Sequence, residues 1–279
     1  MIFKMIALIN MIIVFVFILL LACTLFYYNK HMVEGGYNFI CGTIEPMTDV
    51  DAYERSVFMK KPPFTPGEKV NIYMNDDGAP STFKRDVMKV VRTKISPFVN
   101  LKIVFVNSNT PSNSGALITV DADTSKMSLT NMAGITTGMG TKRPFIHVRE
   151  NSLSNDKVLI HEFGHVFGLH HEQYNPDFAK SGKIDLEKLV DKYMKLTPGV
   201  DRKTMTNRVI EYNFAKLDEN RFGYTPLYDP NSVMLYSFSA DVTTDGVQIV
   251  GGDVFSALDK AQLKKMYSSP SPSPSPPKK

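Results

Sequence analysis

The sequence predicts an α+β domain, and the order of its segments is the main observation behind this fold class. From Lys69 to about residue 168, the pattern reads strand, helix, three strands and a second helix. After residue 168 the chain becomes helical and loop-rich, which predicts a smaller part of mixed helical and irregular structure. The composition fits a folded domain, because 43% of the 279 residues are hydrophobic and 22% are charged.

The first strand is predicted from Val70 to Met74, where apolar and polar residues alternate. Ser81 is a good N-cap for the first helix, which should end before Pro97. The apolar stripe of that helix consists of Phe83, Val87, Val90, Val91 and Ile95. Three more strands are predicted over residues 101–106, 116–120 and 145–148. Residues 107–115 and 121–144 are predicted to be irregular.

The second helix, predicted over residues 156–168 with Asn155 as its N-cap, carries most of the candidate chemistry. His161 and His165 are four residues apart, so they project from one helix face. Gly168 can adopt a positive φ, end the helix and bring His171 back towards the other two histidines. Three converging imidazoles with a fourth position open to water are typical of catalytic zinc. His170 is the competing third ligand.

Glu162 lies in the same helical turn and is not needed as a ligand. Its carboxylate can accept a proton from an attacking water and pass it to a leaving amine. The alternative is a helix that carries histidines by chance. Five fixed positions at this spacing arise at random on the order of once in a few million starts. His147 is interpreted as an ordinary strand residue rather than a ligand.

The motif His-Glu-x-x-His-x-x-Gly-x-x-His is that of the metzincins, and the chain resembles this group. The next residues resemble the astacin branch, His-Glu-x-x-Arg-x-Asp, through Glu172, Gln173, Pro176 and Asp177, with Asn175 in place of Arg. Residues 232–236, Ser-Val-Met-Leu-Tyr, resemble the astacin Met-turn. The resemblance covers roughly residues 68–267. It implies a zincin-like domain with a twisted, mostly parallel sheet, two helices above the cleft and a smaller lower subdomain.

The resemblance also implies an activity, that of a zinc endopeptidase that hydrolyses peptide bonds in protein substrates with one catalytic Zn²⁺. Zinc would be held by His161, His165 and His171, and Glu162 would activate the attacking water. Tyr236 would be a fifth ligand that swings away to hydrogen-bond the oxyanion, with a simple packed tyrosine as the alternative. The supporting residues would be Gly168 at the turn, Met234 as an apolar floor beneath the imidazoles, and Glu172, which would bind the new N-terminus after processing.

Substrate binding is expected at a sheet edge. In the resembled fold, the strand before the zinc helix borders the cleft, and an extended peptide adds to such an edge by main-chain hydrogen bonds. This assigns substrate binding to Phe145, Ile146, His147 and Val148. A catalytically silent binding or envelope protein on the same scaffold is the rival class, although such a protein would be expected to lose Glu162.

The N-terminal residues 5–28 are apolar except for Asn10 and Thr24, and are long enough to cross a bilayer of ~30 Å. They predict a single-pass membrane anchor, or signal-anchor, with the catalytic domain outside the cytoplasm. A cleaved signal peptide is one alternative. A lipoprotein is the other, since residues 20–23, Leu-Leu-Ala-Cys, resemble a lipoprotein box with Cys23 as the lipid-bearing residue.

The remaining segments define the expected boundaries. Residues 31–67, rich in Gly and Pro, are expected to be a linker or an inhibitory pro-segment, in which Cys41 resembles the cysteine switch of matrixins. Residues 68–268 would form the protease domain, and 269–279 a disordered Ser/Pro-rich tail. The only cysteines are Cys23 and Cys41, so the domain has no disulfide of its own. The net charge of +4 is scattered, and no nucleic-acid partner is expected.

Overall fold

The computed structural model describes residues 58–75, 81–108, 116–122, 134–137, 139–148, 156–214, 217–225 and 227–268. The predictions on residues 5–28, Cys23, Cys41, Asn155 and the tail 269–279 lie outside these ranges. Within them, no helix combines the length and the apolar character that crossing a membrane requires.

The sheet has five strands in the order β3-β2-β4-β6-β5. Strands β3, β2, β4 and β6 are parallel, and β5 pairs antiparallel with β6. The strand bounds are β2 Lys69–Asn75, β3 Lys102–Val106, β4 Ala116–Asp121, β5 Gly134–Thr137 and β6 Phe145–Val148. Two short strands, β1 (Phe58–Met59) and β7 (Phe222–Gly223), form a separate antiparallel pair. The mostly parallel sheet is as predicted.

Six α-helices are described: α1 Phe83–Val90, α2 Asp156–Val166, α3 Pro176–Lys180, α4 Leu186–Leu196, α5 Arg202–Phe214 and α6 Ala257–Met266. Helix α1 continues as a π-helical turn over Val91–Ile95, so its α- and π-helical part ends before Pro97 as expected. Pro97 itself lies in a short 3-10 turn, Ser96–Phe98. Its N-cap is Thr82 and not Ser81, and no side chain caps it. Helix α6 begins with a capping box between Ser256 and Asp259.

Two main hydrophobic clusters hold the domain together. The larger one joins the sheet to α1 and α2 through fully buried residues such as Val87, Ile118, Ile146, Leu159 and Phe163. The second joins α3, α4 and α5 to the segment after residue 232, through residues such as Phe178, Val190, Val209, Leu235 and Phe238. Burial of each such side chain contributes about 1.5–3 kcal/mol. The two clusters correspond to the predicted larger and smaller parts of the domain.

The expectation of an irregular stretch up to residue 67 is wrong for its last ten residues. Residues 58–64, the N-terminal strap, pair through β1 with β7, and the Met59 N–H donates to the Gly168 carbonyl at 2.9 Å. Phe64 is 1% exposed and packs edge-on against Phe167, with ring centroids 5.9 Å apart. Prolines 62 and 63 suggested a linker, but the buried aromatic ring makes this segment part of the domain.

The prediction that Phe145–Val148 forms the sheet edge is also wrong. Strand β6 has β4 on one side and β5 on the other, so its main chain is already paired on both sides. Among the described strands, the edge on this side of the sheet is β5, in a region expected to be irregular. Its consecutive β-branched residues Ile135, Thr136 and Thr137 favour an extended strand. The assignment of substrate binding to Phe145, Ile146, His147 and Val148 therefore loses its basis.

Candidate metal centre and active site

Helix α2 and the turn after it bring three histidines together. His161 and His165 lie one turn apart on α2, and both are buried. Gly168 has φ +95°, a conformation that residues with a side chain rarely adopt, and the chain reverses there. His171 follows in extended conformation with φ −69° and ψ 133°. The reversal expected at Gly168 is present, and it returns His171 to the face that carries the other two rings.

The three Nε2 atoms converge closely. They are 3.2 Å apart for His161 and His165, 3.2 Å for His161 and His171, and 2.9 Å for His165 and His171. A tetrahedral zinc with Zn–N bonds of about 2.0–2.1 Å would place two such nitrogens roughly 3.4 Å apart. The arrangement therefore has the dimensions of a three-histidine metal site, and these residues form such a group in the described part of the chain.

Carbonyl groups on the far side of two rings fix their tautomers. Nδ1 of His161 donates to the Val233 carbonyl at 2.8 Å, and Nδ1 of His165 donates to the Leu169 carbonyl at 3.0 Å. Because a carbonyl can only accept, both rings carry their proton on Nδ1 and direct the Nε2 lone pair inward. Lone pairs this close repel one another unless a cation lies between them. The donor set thus fits a bound metal ion, and neutral imidazole suits zinc.

Burial keeps these imidazoles neutral. Desolvation is the largest cause of the lowered pKa of each ring, and it lowers the pKa of His161 to about 4. The pKa values of His165 and His171 are also lowered, with further repulsion from neighbouring histidines. His170 is buried beside them, and burial lowers its pKa to about 3. Its ring packs edge-on against Phe222, with ring centroids 6.0 Å apart. A neutral imidazole keeps the lone pair of one ring nitrogen free at ordinary pH, which metal binding requires.

The Met-turn supports the site from below. Met234 is fully buried and lies against α2, where a Cβ on Gly164 would come within 2.5 Å of its Sδ. The Ser232 hydroxyl donates to Asp259 and accepts the Met234 N–H at 2.9 Å. Burial raises the pKa of the Asp259 carboxyl. Because Val233 in the same turn accepts from His161, the turn fixes the orientation of that ring.

Tyr236 lies beside the histidines, as the resemblance to the astacin Met-turn implied. Its ring centroid is 4.4 Å from that of His171 and 6.3 Å from that of His161, and the residue is 6% exposed. Its main-chain N–H donates to the side-chain oxygen of the fully buried Gln173 at 3.3 Å. The sequence identified Gln173 only as a position of the extended motif and did not suggest this supporting contact.

Glu172, the residue after the third histidine, is buried. It accepts the Asp229 N–H at 2.9 Å, and its own N–H donates to the Met234 carbonyl at 3.1 Å. It therefore joins the ligand segment to the loop before the Met-turn. The predicted role in binding a new N-terminus concerns residues outside the described ranges and stays a prediction.

Glu162 is 1% exposed, and its carboxylate contacts the edge strand. The Thr136 hydroxyl, fully buried on β5, donates to Glu162 Oε2 at 2.6 Å. Thr136 was missed because it lies 26 residues away in a segment expected to be irregular. Its β-branched neighbours were the one available signal.

Comparison with protein-family models gives no match, and comparison with curated proteins gives none either. The mostly parallel sheet with its helices confirms the predicted α+β fold class. Among solved structures, the chain is similar to myroilysin. In one structure of myroilysin the identity is 21% and the TM-score 0.54, over 74% of this chain and 96% of that one.

A second structure of myroilysin gives 20% identity and a TM-score of 0.51, over 84% of this chain and 93% of the other. High choriolytic enzyme 1, a hatching enzyme zinc-protease from the medaka fish Oryzias latipes, gives 16% identity and a TM-score of 0.47. That match covers 71% of this chain and 88% of the other. At these identities the likeness is one of fold, and activity must be argued from the site.

Proposed function

We propose that the chain is a zinc-dependent endopeptidase. The observation that carries the proposal is the convergence of three neutral Nε2 donors within 3.2 Å, next to a buried carboxylate on the same helix. His161, His165 and His171 would hold the ion. Zinc bound there would act as a Lewis acid that polarises the scissile carbonyl and lowers the pKa of a bound water.

Glu162 is the proposed general base. It receives a proton from the water as the water oxygen bonds to the carbonyl carbon, and then delivers that proton to the leaving amine as the C–N bond breaks. Tyr236 is placed beside His171 to donate its hydroxyl hydrogen bond to the substrate oxyanion. The motif resemblance and the ring position support this role for Tyr236.

The substrate main chain is proposed to pair with β5. This strand ends the sheet order among the described strands, and through Thr136 it touches the proposed base. A peptide added to an edge strand is held by main-chain hydrogen bonds, which suits protein substrates of varied sequence. The proposed binding element is therefore the strand next to the one predicted from the sequence.

The test compares wild type with Glu162→Gln, both loaded with one equivalent of zinc. Casein or peptide cleavage should fall by about 10²–10⁴-fold in the variant, because general-base catalysis contributes on this scale. Zinc content, measured by atomic emission, should be unchanged because the three histidines remain. Zinc-loaded wild type that cleaves nothing would favour the silent binding protein, and unchanged cleavage by the variant would remove Glu162 from the mechanism.

Export and membrane attachment through residues 5–28 are proposed as well, on the apolar sequence alone. Cell fractionation with carbonate washing, together with the N-terminal sequence of the mature protein, distinguishes the three forms. An intact N-terminus in the membrane fraction supports the anchor. A chain beginning after the apolar segment supports a cleaved signal, and a blocked N-terminus at Cys23 supports a lipoprotein.

A further inference from the structure

The contact between Thr136 and Glu162 connects the edge strand to the proposed base. Thr136 Oγ1 lies 2.6 Å from Glu162 Oε2 and 3.2 Å from the Glu162 carbonyl oxygen, and both residues are buried. The threonine has a single hydroxyl hydrogen, and the shorter distance assigns it to the carboxylate. Hydrogen bonds to a charged acceptor are about twice as strong as neutral ones, so this bond fixes the orientation of the carboxylate.

The position of Thr136 in the sheet gives the contact a functional meaning. Thr136 pairs with Ile146 of β6 in the middle of β5, and β5 packs on α2. A substrate strand paired with β5 would order the main chain that carries Thr136. Its hydroxyl would then hold Oε2 of Glu162 in place while the proton is transferred.

We propose that Thr136 is a positioning residue for Glu162, an inference that rests on the endopeptidase function proposed above. It neither touches the reacting atoms nor binds zinc. It holds the carboxylate at the angle needed for proton transfer and couples that angle to the occupancy of the edge strand. Loss of its hydroxyl should therefore lower turnover and leave zinc binding and substrate affinity in place.

The kinetic test uses two substitutions that differ in the hydroxyl. Thr136→Val keeps the β-branched shape and removes the hydroxyl, and kcat should fall by about 10–100-fold while KM stays within about threefold. Thr136→Ser keeps the hydroxyl and should stay within about threefold of wild-type kcat. Thr119→Val is the matched control, since Thr119 is also buried in the sheet, on β4, and kcat should stay within about twofold.

A second measurement needs no metal and no activity. In zinc-free protein, Thr136→Val should raise the unfolding equilibrium constant by about 10-fold or more when Glu162 is present, because a hydrogen bond to a charged group is lost. In the Glu162→Ala background the same change should alter it by less than about twofold. Equal effects in both backgrounds would show that the Thr136 hydroxyl does not act through Glu162, which would overturn the proposal. If the valine variant does not fold, Thr136→Ala takes its place in both experiments.

The outcomes separate the two proposals. Wild type that binds zinc but cleaves no peptide removes the endopeptidase function and, with it, the catalytic role of Thr136. Active wild type with a valine variant of unchanged kcat overturns the role of Thr136 alone. A serine variant as impaired as the valine variant overturns it too, since the methyl packing and not the hydroxyl would then be the cause.

Discussion

Acidification should unfold the metal-free domain over a narrow pH range because of its buried histidines. Each has a folded-state pKa below the ordinary value of 6.5, to about 4 for His161 and about 3 for His170, with burial as the largest cause. The pKa values of His165 and His171 are lowered in the same way. Below pH 6.5 the unfolded chain therefore binds more protons at these histidines than the folded chain does. Stability is fully present above pH 6.5 and is lost as the pH falls towards the folded-state pKa values.

The size of the effect follows from the number of groups. Each histidine removes about 1.36 kcal/mol of stability per pH unit once the pH is well below 6.5, and about half of that at pH 6.5 itself. Because the unfolded imidazole is half protonated at pH 6.5, four of them remove about 4 kcal/mol between pH 6.5 and 5.5, compared with a total of about 5–15 kcal/mol for a typical domain. The raised pKa of Asp259 acts in the opposite direction and offsets at most one of the four. Net uptake of about three to four protons on unfolding is expected near pH 5.5.

Urea denaturation of EDTA-treated protein at pH 7.5, 6.5, 5.5 and 5.0 measures this loss. With a slope of about 2–3 kcal/mol per molar urea, the midpoint should fall by about 1.5 M between pH 6.5 and 5.5. The His170→Asn variant is the control, and its proton uptake should be smaller by one. Uptake below one proton in wild type, or identical pH dependence in the two proteins, would refute the reasoning.

Three further predictions concern the metal site and the strap. His171→Ala should abolish binding of one equivalent of zinc while His170→Ala retains it, as measured by metal analysis after dialysis; loss with His170→Ala alone would contradict the ligand set. Gly252→Ala should weaken zinc binding by about 10–100-fold, because its Cβ would lie 2.1 Å from a main-chain carbonyl just before the Met-turn. Gly246→Ala, whose Cβ meets nothing within 4 Å and which is strained only by its own φ of +71°, should leave zinc affinity unchanged in the same titration. Phe64→Ala should lower the free energy of unfolding by about 3–5 kcal/mol in urea, and a loss below 1 kcal/mol would mean that the strap is dispensable.

The metal site was accessible to sequence reasoning because its geometry is local. Two ligands are one helical turn apart, and the third follows a turn that needs the backbone freedom of Gly168. The Met-turn is more distant in sequence, but the resemblance of five consecutive residues was enough to predict its place beside the histidines. Local spacing thus predicted which imidazoles meet, together with the helix that holds two of them.

The misplaced features depend on partners distant in sequence. Whether β6 is an edge depends on a neighbouring strand, and β5, with only four residues, is too short to give a clear strand pattern in the sequence. Thr136 is recognisable only once β5 is placed against α2. Phe64 resembled a linker residue because its burial comes from Phe167, more than 100 positions further along the chain. The N-cap at Thr82 was missed by one position, an error common at helix ends.

The aromatic junction beneath the Gly168 turn has a consequence for biosynthesis. Phe167 packs between Phe64 and Tyr267, and the Tyr267 hydroxyl donates to the Phe167 carbonyl at 3.3 Å. The turn that delivers the third imidazole is thus held by segments from both ends of the domain. A nascent chain still lacking residue 267 on the ribosome cannot assemble this junction. The turn that precedes the third histidine is therefore fully packed only after residue 267 has been synthesised, and shorter nascent chains lack this support for the metal site.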